Sequence, residues 1–525
     1  MSQLEVQQSA IQHALEAFES SNLTPTSLIT YKSSGQVIVL GDEETIQNAK
    51  GLKNTDQLSF IFKIIDQNTT VSIDGYLGQF QASIKYGENS EQKHECDIIL
   101  DLSTDALITQ AMLPAGYLHC APEDISLKLI HSELSELVGE FEKPRYFNYH
   151  SELCAHGVNG KTVCTRCIDA CPAGAISSLI EQVSVDANLC QGGGVCATTC
   201  PSGAMEYVYP NLTDSGNRIR KMLKVFREQG GEQPIVVFHT EDDYSVQSEL
   251  PILPIQLEEL ASSGMDLWLS ALVYGADQVV LLHNEDVPGL VLEVLMQQVE
   301  IVKDILSGLG LKPDRISMHT SCDDLLVMTP VSQIEPAEYN MPLQKRDAIY
   351  QAIDHIYQQQ EKTREMISLT AGAAFGVVMV DAERCTLCLS CVSACPGKAL
   401  QDGSNREIPE LSFIEGRCIQ CGTCTHTCPE QAISISPRLV FNKEKRNQAR
   451  VLHQDQPFGC ISCGKDFATH SVINKMTGAL KQHYMFKTTR ALDRLKMCED
   501  CRVADIVQDP EAMSGNYDQQ KTISS

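Results

Sequence analysis

Two cysteine runs, Cys385-x2-Cys388-x2-Cys391-x3-Cys395-Pro396 and Cys418-x2-Cys421-x2-Cys424-x3-Cys428-Pro429, constrain the C-terminal third of this chain more than any other feature. Thiols at i, i+3 and i+6 curl one loop around three corners of an iron–sulfur cube. A fourth thiol on the following helix reaches the neighbouring cube. The proline after each fourth cysteine stops that helix from following the loop continuously. By analogy with this bacterial ferredoxin spacing, Cys385, Cys388, Cys391 and Cys428 hold one 4Fe–4S cluster, and Cys418, Cys421, Cys424 and Cys395 hold a second.

The chain has 22 cysteines among 525 residues. Their grouping at short spacings points to metal and a reducing compartment, here the cytoplasm, rather than to a disulfide scaffold. Met1–Ala10 is polar, with neither a basic leader nor an apolar core, and no apolar run approaches the ~20 residues of a membrane span. Neither export nor membrane insertion is expected. A formal net charge of −27 opposes binding to nucleic acid and suits docking onto a basic redox protein partner. The length calls for about three to five domains.

Residues 1–147 show no cluster spacing. A helix over Leu4–Phe18 and strands over Ser27–Thr30, Gln36–Leu40, Leu58–Ile65, Phe80–Lys85 and Asp97–Leu102 predict a small α+β domain. Cys96 and Cys120 read as inert buried thiols. Residues 148–210 hold an altered copy of the ferredoxin pattern, Cys154-x9-Cys164-x2-Cys167-x3-Cys171-Pro172 and Cys190-x5-Cys196-x3-Cys200-Pro201. Lys161 stands at the usual first ligand position, with Cys154 able to substitute, and Gly193 stands where a middle ligand belongs. Cross-ligation gives Cys154, Cys164, Cys167 and Cys200 to a third 4Fe–4S cluster. It leaves Cys171, Cys190 and Cys196 for a site that takes 3Fe–4S, or 4Fe–4S with one open iron. The stretch Ala155–Thr162 satisfies a relaxed phosphate-loop pattern, but it has no room for the strand and helix such a loop requires.

Residues 211–345 alternate apolar strands (Pro234–Thr240, Ile252–Leu257, Asp277–Leu282, Arg315–Met318) with helices (Gly216–Gln229, Asp266–Tyr274, Gly289–Leu306), which predicts a parallel α/β sheet. A helical linker, 346–375, leads to the intact ferredoxin module at 376–438. In 455–505, Cys460-x2-Cys463 and Cys498-x2-Cys501 form a four-cysteine, zinc-ribbon-like module whose sulfurs suit Zn²⁺, with a single rubredoxin-like iron as the alternative. A polar tail, 506–525, is expected to be disordered. The fold class is thus multidomain α+β and α/β, with two two-cluster ferredoxin modules, a parallel-sheet middle domain and a thiolate module.

Two family resemblances add to these readings. The run Leu267–Asp277, then Gln278–Leu282, ending in Leu309–Arg315, resembles the delta subunit of methyl-viologen-reducing hydrogenase. That subunit uses cysteines for a 2Fe–2S centre, whereas this chain has His283-Asn284-Glu285-Asp286 at the corresponding turn, and Cys322 alone cannot hold a cluster. Most of the chain resembles the multi-cluster cytosolic 4Fe–4S ferredoxin proteins of bacteria associated with formate dehydrogenase. The carriers are Lys143–Phe147, Cys154-Ala155-His156, Cys167–Pro172, Leu189–Gly192, Cys196–Pro201 and Pro457–Cys501. That resemblance implies a one-electron carrier with formate dehydrogenase as a partner. A maturation or scaffold factor for a dehydrogenase, or a catalytic subunit with an open iron, are the competing readings. No Rossmann fingerprint and no nucleophile with a recognisable base supports independent catalysis.

Overall fold

The computed structural model describes residues 3–87, 90–124, 126–158, 160–240, 250–322, 325, 334–360, 364–403 and 408–510. It divides into two compact units, Met1–Gly372 and Ala373–Ser525.

In the first unit, the run Gln36–Gly41 forms a central strand because it is apolar on both faces. Val37 and Val39 join Ile98, Leu100, Ile46, Leu58 and Leu134 in one core, and Ile38 and Leu40 join Ile99, Phe80, Ala82 and Ile84 in another. The strand pairs in parallel with Ser59–Ile64 and Ile98–Asp101, and the latter pairs in parallel with Tyr117–His119. The helix Glu43–Ala49 follows the first strand, and the Asp42 carboxylate accepts the Thr45 N–H to cap it. A separate antiparallel meander, Thr69–Asp74, Phe80–Tyr86 and Ser90–Cys96, supplies the second core.

The region 1–147 thus combines a parallel four-stranded sheet with antiparallel pairings, Leu28–Ser33 with Gly139–Pro144 and the meander. The outer meander strands were illegible because Thr69–Asp74 and Ser90–Cys96 are mostly polar and only part-buried. The first helix, Gln3–Glu19, also crosses the expected boundary by packing on the helix Leu212–Glu228. The Arg218 guanidinium lies 3.9 Å from the centre of the Phe18 ring and donates to the Phe18 carbonyl at 3.2 Å.

The second sheet of this unit is parallel, in the order Ile252–Gln256, Ile235–His239, Gln278–Leu282, Ile316–His319. Its two central strands are buried along their whole length, as expected for strands covered on both faces. The helix Met265–Val273 packs between Leu212–Glu228 and Lys345–Gln359. The last of these falls in the expected linker, yet Ala348, Ile349, Ala352, Ile353 and Ile356 are buried. Its buried i, i+3, i+4 stripe packs it on the helix Met265–Val273; the Gln, Asp and Tyr residues between obscured the pattern. Of the expected disordered tail, 506–507 end the helix Glu499–Val507, and residues beyond 510 lie outside the described part.

Arg315 locks the last strand by donating to Asp277 at 3.1 Å, with side-chain exposures of 8% and 14%. Burial pushes the Asp277 carboxyl up, and Arg315 opposes that shift. Removing the cation should therefore strand a buried carboxylate. Arg315→Met is expected to destabilise this unit by about 3–5 kcal/mol in denaturant unfolding, and the double variant with Asp277→Asn by clearly less. Equal losses in both would show that the pair does not couple.

Candidate iron–sulfur and thiolate sites

The intact cysteine runs sit in the second unit between two antiparallel pairs. Gly376–Val380 pairs with Ile433–Val440, and Leu400–Asp402 pairs with Glu410–Phe413; the short helices Ser390–Ser393 and Thr423–Thr427 follow the two loops. The loops turn through left-handed residues, Leu387 and Leu389 in the first, Gln420 and Gly422 in the second. Alternating backbone hand makes a concave nest and turns successive side chains toward one centre.

The thiols fall into two groups. Burial, then Cys385, Cys388 and Cys428, push Cys391 up to about 12. Burial, then Cys421, Cys418 and Cys395, raise Cys424, with a smaller contribution from Cys391. The cysteines that influence one another divide along the same lines as the two expected ligand sets, and Cys391 of the first set also acts on Cys424 of the second.

The altered run in the first unit has the same element order. Phe147–Tyr149 pairs with Met205–Tyr207, Ile176–Ser178 pairs with Val183–Val185, and the short helices are Arg166–Asp169 and Val195–Thr199. Burial, then Cys200, Cys164 and Cys154, push Cys167 up to about 12. Cys196 is raised well above the ordinary thiol value by burial and then by Cys190, Cys171 and Cys167. The structure thus gathers Cys154, Cys164, Cys167 and Cys200 in one place and Cys171, Cys190 and Cys196 beside it. Gly157–Val158 pairs with Lys161–Thr162 in a tight hairpin, so the phosphate-loop pattern has no strand-to-helix context; Asn159 lies outside the described residues.

The second loop of the altered run keeps the bend of its intact counterpart. Gly192 and Gly194 are left-handed, matching Gln420 and Gly422, and Gly193 occupies the place of Cys421. A further repeat went unread in the sequence. Three residues after each fourth cysteine stands a left-handed residue, Gly174, Gly203, Lys398 or Gln431, and next to it a buried alanine, Ala175, Ala204, Ala399 or Ala432. In the intact module this turn aims the Ala399 N–H at the Cys395 sulfur and the Ala432 N–H at the Cys428 sulfur, both at 3.3 Å. The signal was the fourfold Cys-Pro-x-x-Ala pattern.

The remaining candidate is the tightest. The sulfurs of Cys460, Cys463, Cys498 and Cys501 all lie within 4.8 Å of one another, with Cys463 and Cys498 at 3.7 Å. A tetrahedral ion with bonds of ~2.3 Å to sulfur spaces its ligands ~3.8 Å apart, so this set fits one ion, whereas a cubane spreads its thiolates over four irons. Burial raises the Cys460 thiol, but N–H donors from Cys498, Cys463 and Ser462 outweigh it and bring the thiol down to about 6. The first pair sits on the hairpin Pro457–Gly459/Asp466–Thr469. The second caps and opens the helix Glu499–Val507, so the module combines a hairpin with a helix and departs from a two-hairpin ribbon. Among the described residues no other cluster of three or more His, Cys, Asp or Glu donors is this close. Cys96 is buried and its thiol is pushed up to about 12 by burial, as suits an inert thiol. Cys120 packs against the first core of the N-terminal domain and Cys322 beside the middle sheet.

Residues 384–433 match the family model described as a 4Fe-4S dicluster domain. A comparison with curated proteins finds no match for the chain. The dicluster match and the cysteine groups support an iron–sulfur protein with an electron-transfer role. No helix among the described residues is long and apolar enough to cross a membrane.

The two loop glycines should respond differently to a methyl group. A Cβ on Gly422 meets nothing closer than 3.8 Å, whereas one on Gly194 would lie 2.4 Å from the Ser262 backbone. Gly422→Ala is expected to cost about 1–2 kcal/mol through its left-handed backbone alone. Gly194→Ala should cost more and lower the iron content of anaerobically purified protein. Equal melting temperatures for the two variants would contradict this.

Proposed function

We propose that the chain relays single electrons between a dehydrogenase, with formate dehydrogenase the leading candidate, and an acceptor. The observation that carries this reading is the two-run cysteine module whose residues 384–433 match a 4Fe-4S dicluster domain, with the same order of hairpins and short helices repeated around Cys154–Cys200. Paired one-electron centres within one module suit stepwise electron transfer.

The residues fit the groups they would hold. Buried thiols that raise one another's pKa are costly to ionise without a cation, and binding iron displaces their protons. Cys385, Cys388, Cys391 and Cys428, then Cys418, Cys421, Cys424 and Cys395, then Cys154, Cys164, Cys167 and Cys200 would hold three 4Fe–4S clusters. Cys171, Cys190 and Cys196 would hold the fourth, with one corner lacking a thiolate. When bound, the clusters supply one-electron oxidation and reduction. The chain's own part is to hold them and set their potentials, through amide donors such as Ala399 and Ala432 and through local charge. Lys143 is one such charge: its ammonium donates to the Cys190 carbonyl at 2.6 Å. Burial pulls it down to about 8, while Cys190 and Asp186 oppose that shift. Cys388 is exposed and marks where electrons can enter or leave the intact module. The tetrahedral set Cys460, Cys463, Cys498 and Cys501 would hold a structural Zn²⁺.

A catalytic subunit would need an iron corner open to substrate, and the corner at Gly193 faces Met112 and Pro172 rather than open space. That favours transfer over catalysis.

Mixing the oxidised, anaerobic protein with formate and a formate dehydrogenase tests the partner. The reading predicts rapid bleaching of the visible iron–sulfur absorption, slowing as salt rises because the chain is strongly acidic. Reduction by dithionite but not by the dehydrogenase would remove formate from the proposal. Elemental analysis should give about one zinc per chain, lowered by Cys501→Ser; zinc unchanged in that variant would refute the assignment.

A further inference from the structure

The corner left without a thiolate at Gly193 is filled from the N-terminal domain. A Cβ built on Gly193 would lie 3.3 Å from the Met112 sulfur, 3.6 Å from its methyl carbon and 3.3 Å from Pro172 Cγ. In the intact module the side chain leaving this position belongs to Cys421. Met112 thus brings a sulfur into the space that a cysteine side chain would enter.

The chain holds that methionine in place from several sides. Its own N–H donates to the Pro172 carbonyl at 3.0 Å, directly after Cys171. Two residues earlier, Gln110 lies against Gly174, 3.4 Å from where a Cβ would stand. The loop that carries both residues is tied to the buried Asp101. That carboxylate accepts the Leu107 N–H at 2.8 Å, the Ser103 N–H at 3.0 Å and the Tyr117 hydroxyl. The Tyr117 oxygen in turn accepts the Ile108 N–H at 3.1 Å. Tyr31 and Lys143 donate to the Asn188 carbonyl, two residues before Cys190 in the altered module, at 2.6 and 2.7 Å. The N-terminal domain therefore meets the altered module at this corner through several separate contacts.

The geometry points to Met112 as the fourth ligand of the cluster held by Cys171, Cys190 and Cys196. Thioether sulfur is a soft donor of the kind that suits iron–sulfur clusters. Being neutral, it leaves the bound cluster one charge less negative than four thiolates would, which raises its reduction potential. This inference rests on the reading that the three-cysteine site is occupied, and it identifies what completes that site.

The test compares wild type with Met112→Leu, which keeps the apolar shape and removes the sulfur, and with Met112→Leu combined with Gly193→Cys. Each is purified anaerobically and studied by iron analysis and electron paramagnetic resonance. Wild type should hold a four-iron cluster at this site. Met112→Leu should lose about one iron per chain and gain a trinuclear signal, with the other clusters unchanged. The double variant should recover the four-iron signal at a lower midpoint potential than wild type. A trinuclear signal already in wild type, or an iron count and spectrum indifferent to Met112→Leu, would overturn the assignment. Cys196→Ser separates the two levels: if it leaves iron and spectrum unchanged, the site was never occupied and the underlying reading fails.

Discussion

Gathering cysteines in an apolar interior, where each thiolate is costly, is the constraint on which these sites depend. Cys167 and Cys391 are each pushed up to about 12 by burial and by three neighbouring cysteines. Several thiolates cannot be gathered in an apolar interior without a compensating charge, and iron supplies it. Around each group the backbone does what the side chains cannot. Left-handed residues turn the loops inward, and amides such as those of Ala399 and Ala432 are aimed at sulfur. The hairpins and short helices outside serve to hold those turns.

The two ferredoxin-like modules differ in what surrounds them. The intact module has a small core of its own, with Leu387, Cys391, Phe413 and Cys424, and its second hairpin is extended by Arg450–Gln454. The altered one is embedded in a larger unit. Its second loop is contacted by Tyr31, Lys143 and Met112 from the N-terminal domain, and Lys345 donates to the carbonyls of Ala197 and Thr198 at 2.7 and 2.6 Å. The loss of a thiolate at Gly193 coincides with close approach by neighbouring elements, which suits a site completed from outside its own loop.

Much of the second parallel sheet was legible because its strands are short apolar runs with no competing period. Ile235–His239, Ile252–Gln256, Gln278–Leu282 and Ile316–His319 each fall within about a residue of expectation. The thiol sets were legible because ligand spacing is a local property of the chain. What could not be read was long-range. The polar meander strands, the docking of Gln3–Glu19 onto Leu212–Glu228 and the burial of the helix Lys345–Gln359, expected only as a linker, all depend on partners far away in sequence. Met112 was hidden for the same reason, since nothing around it resembles a ligand motif and its relation to Gly193 exists only in three dimensions.

Protein isolated without oxygen provides the most direct measurement, with iron and acid-labile sulfide counted and the visible spectrum followed through dithionite reduction and reoxidation. Four occupied thiol sets predict about sixteen irons per chain, with absorption that bleaches on reduction and returns on reoxidation. Colourless protein, or metal-filled sites whose absorption dithionite never changes, would contradict an electron carrier.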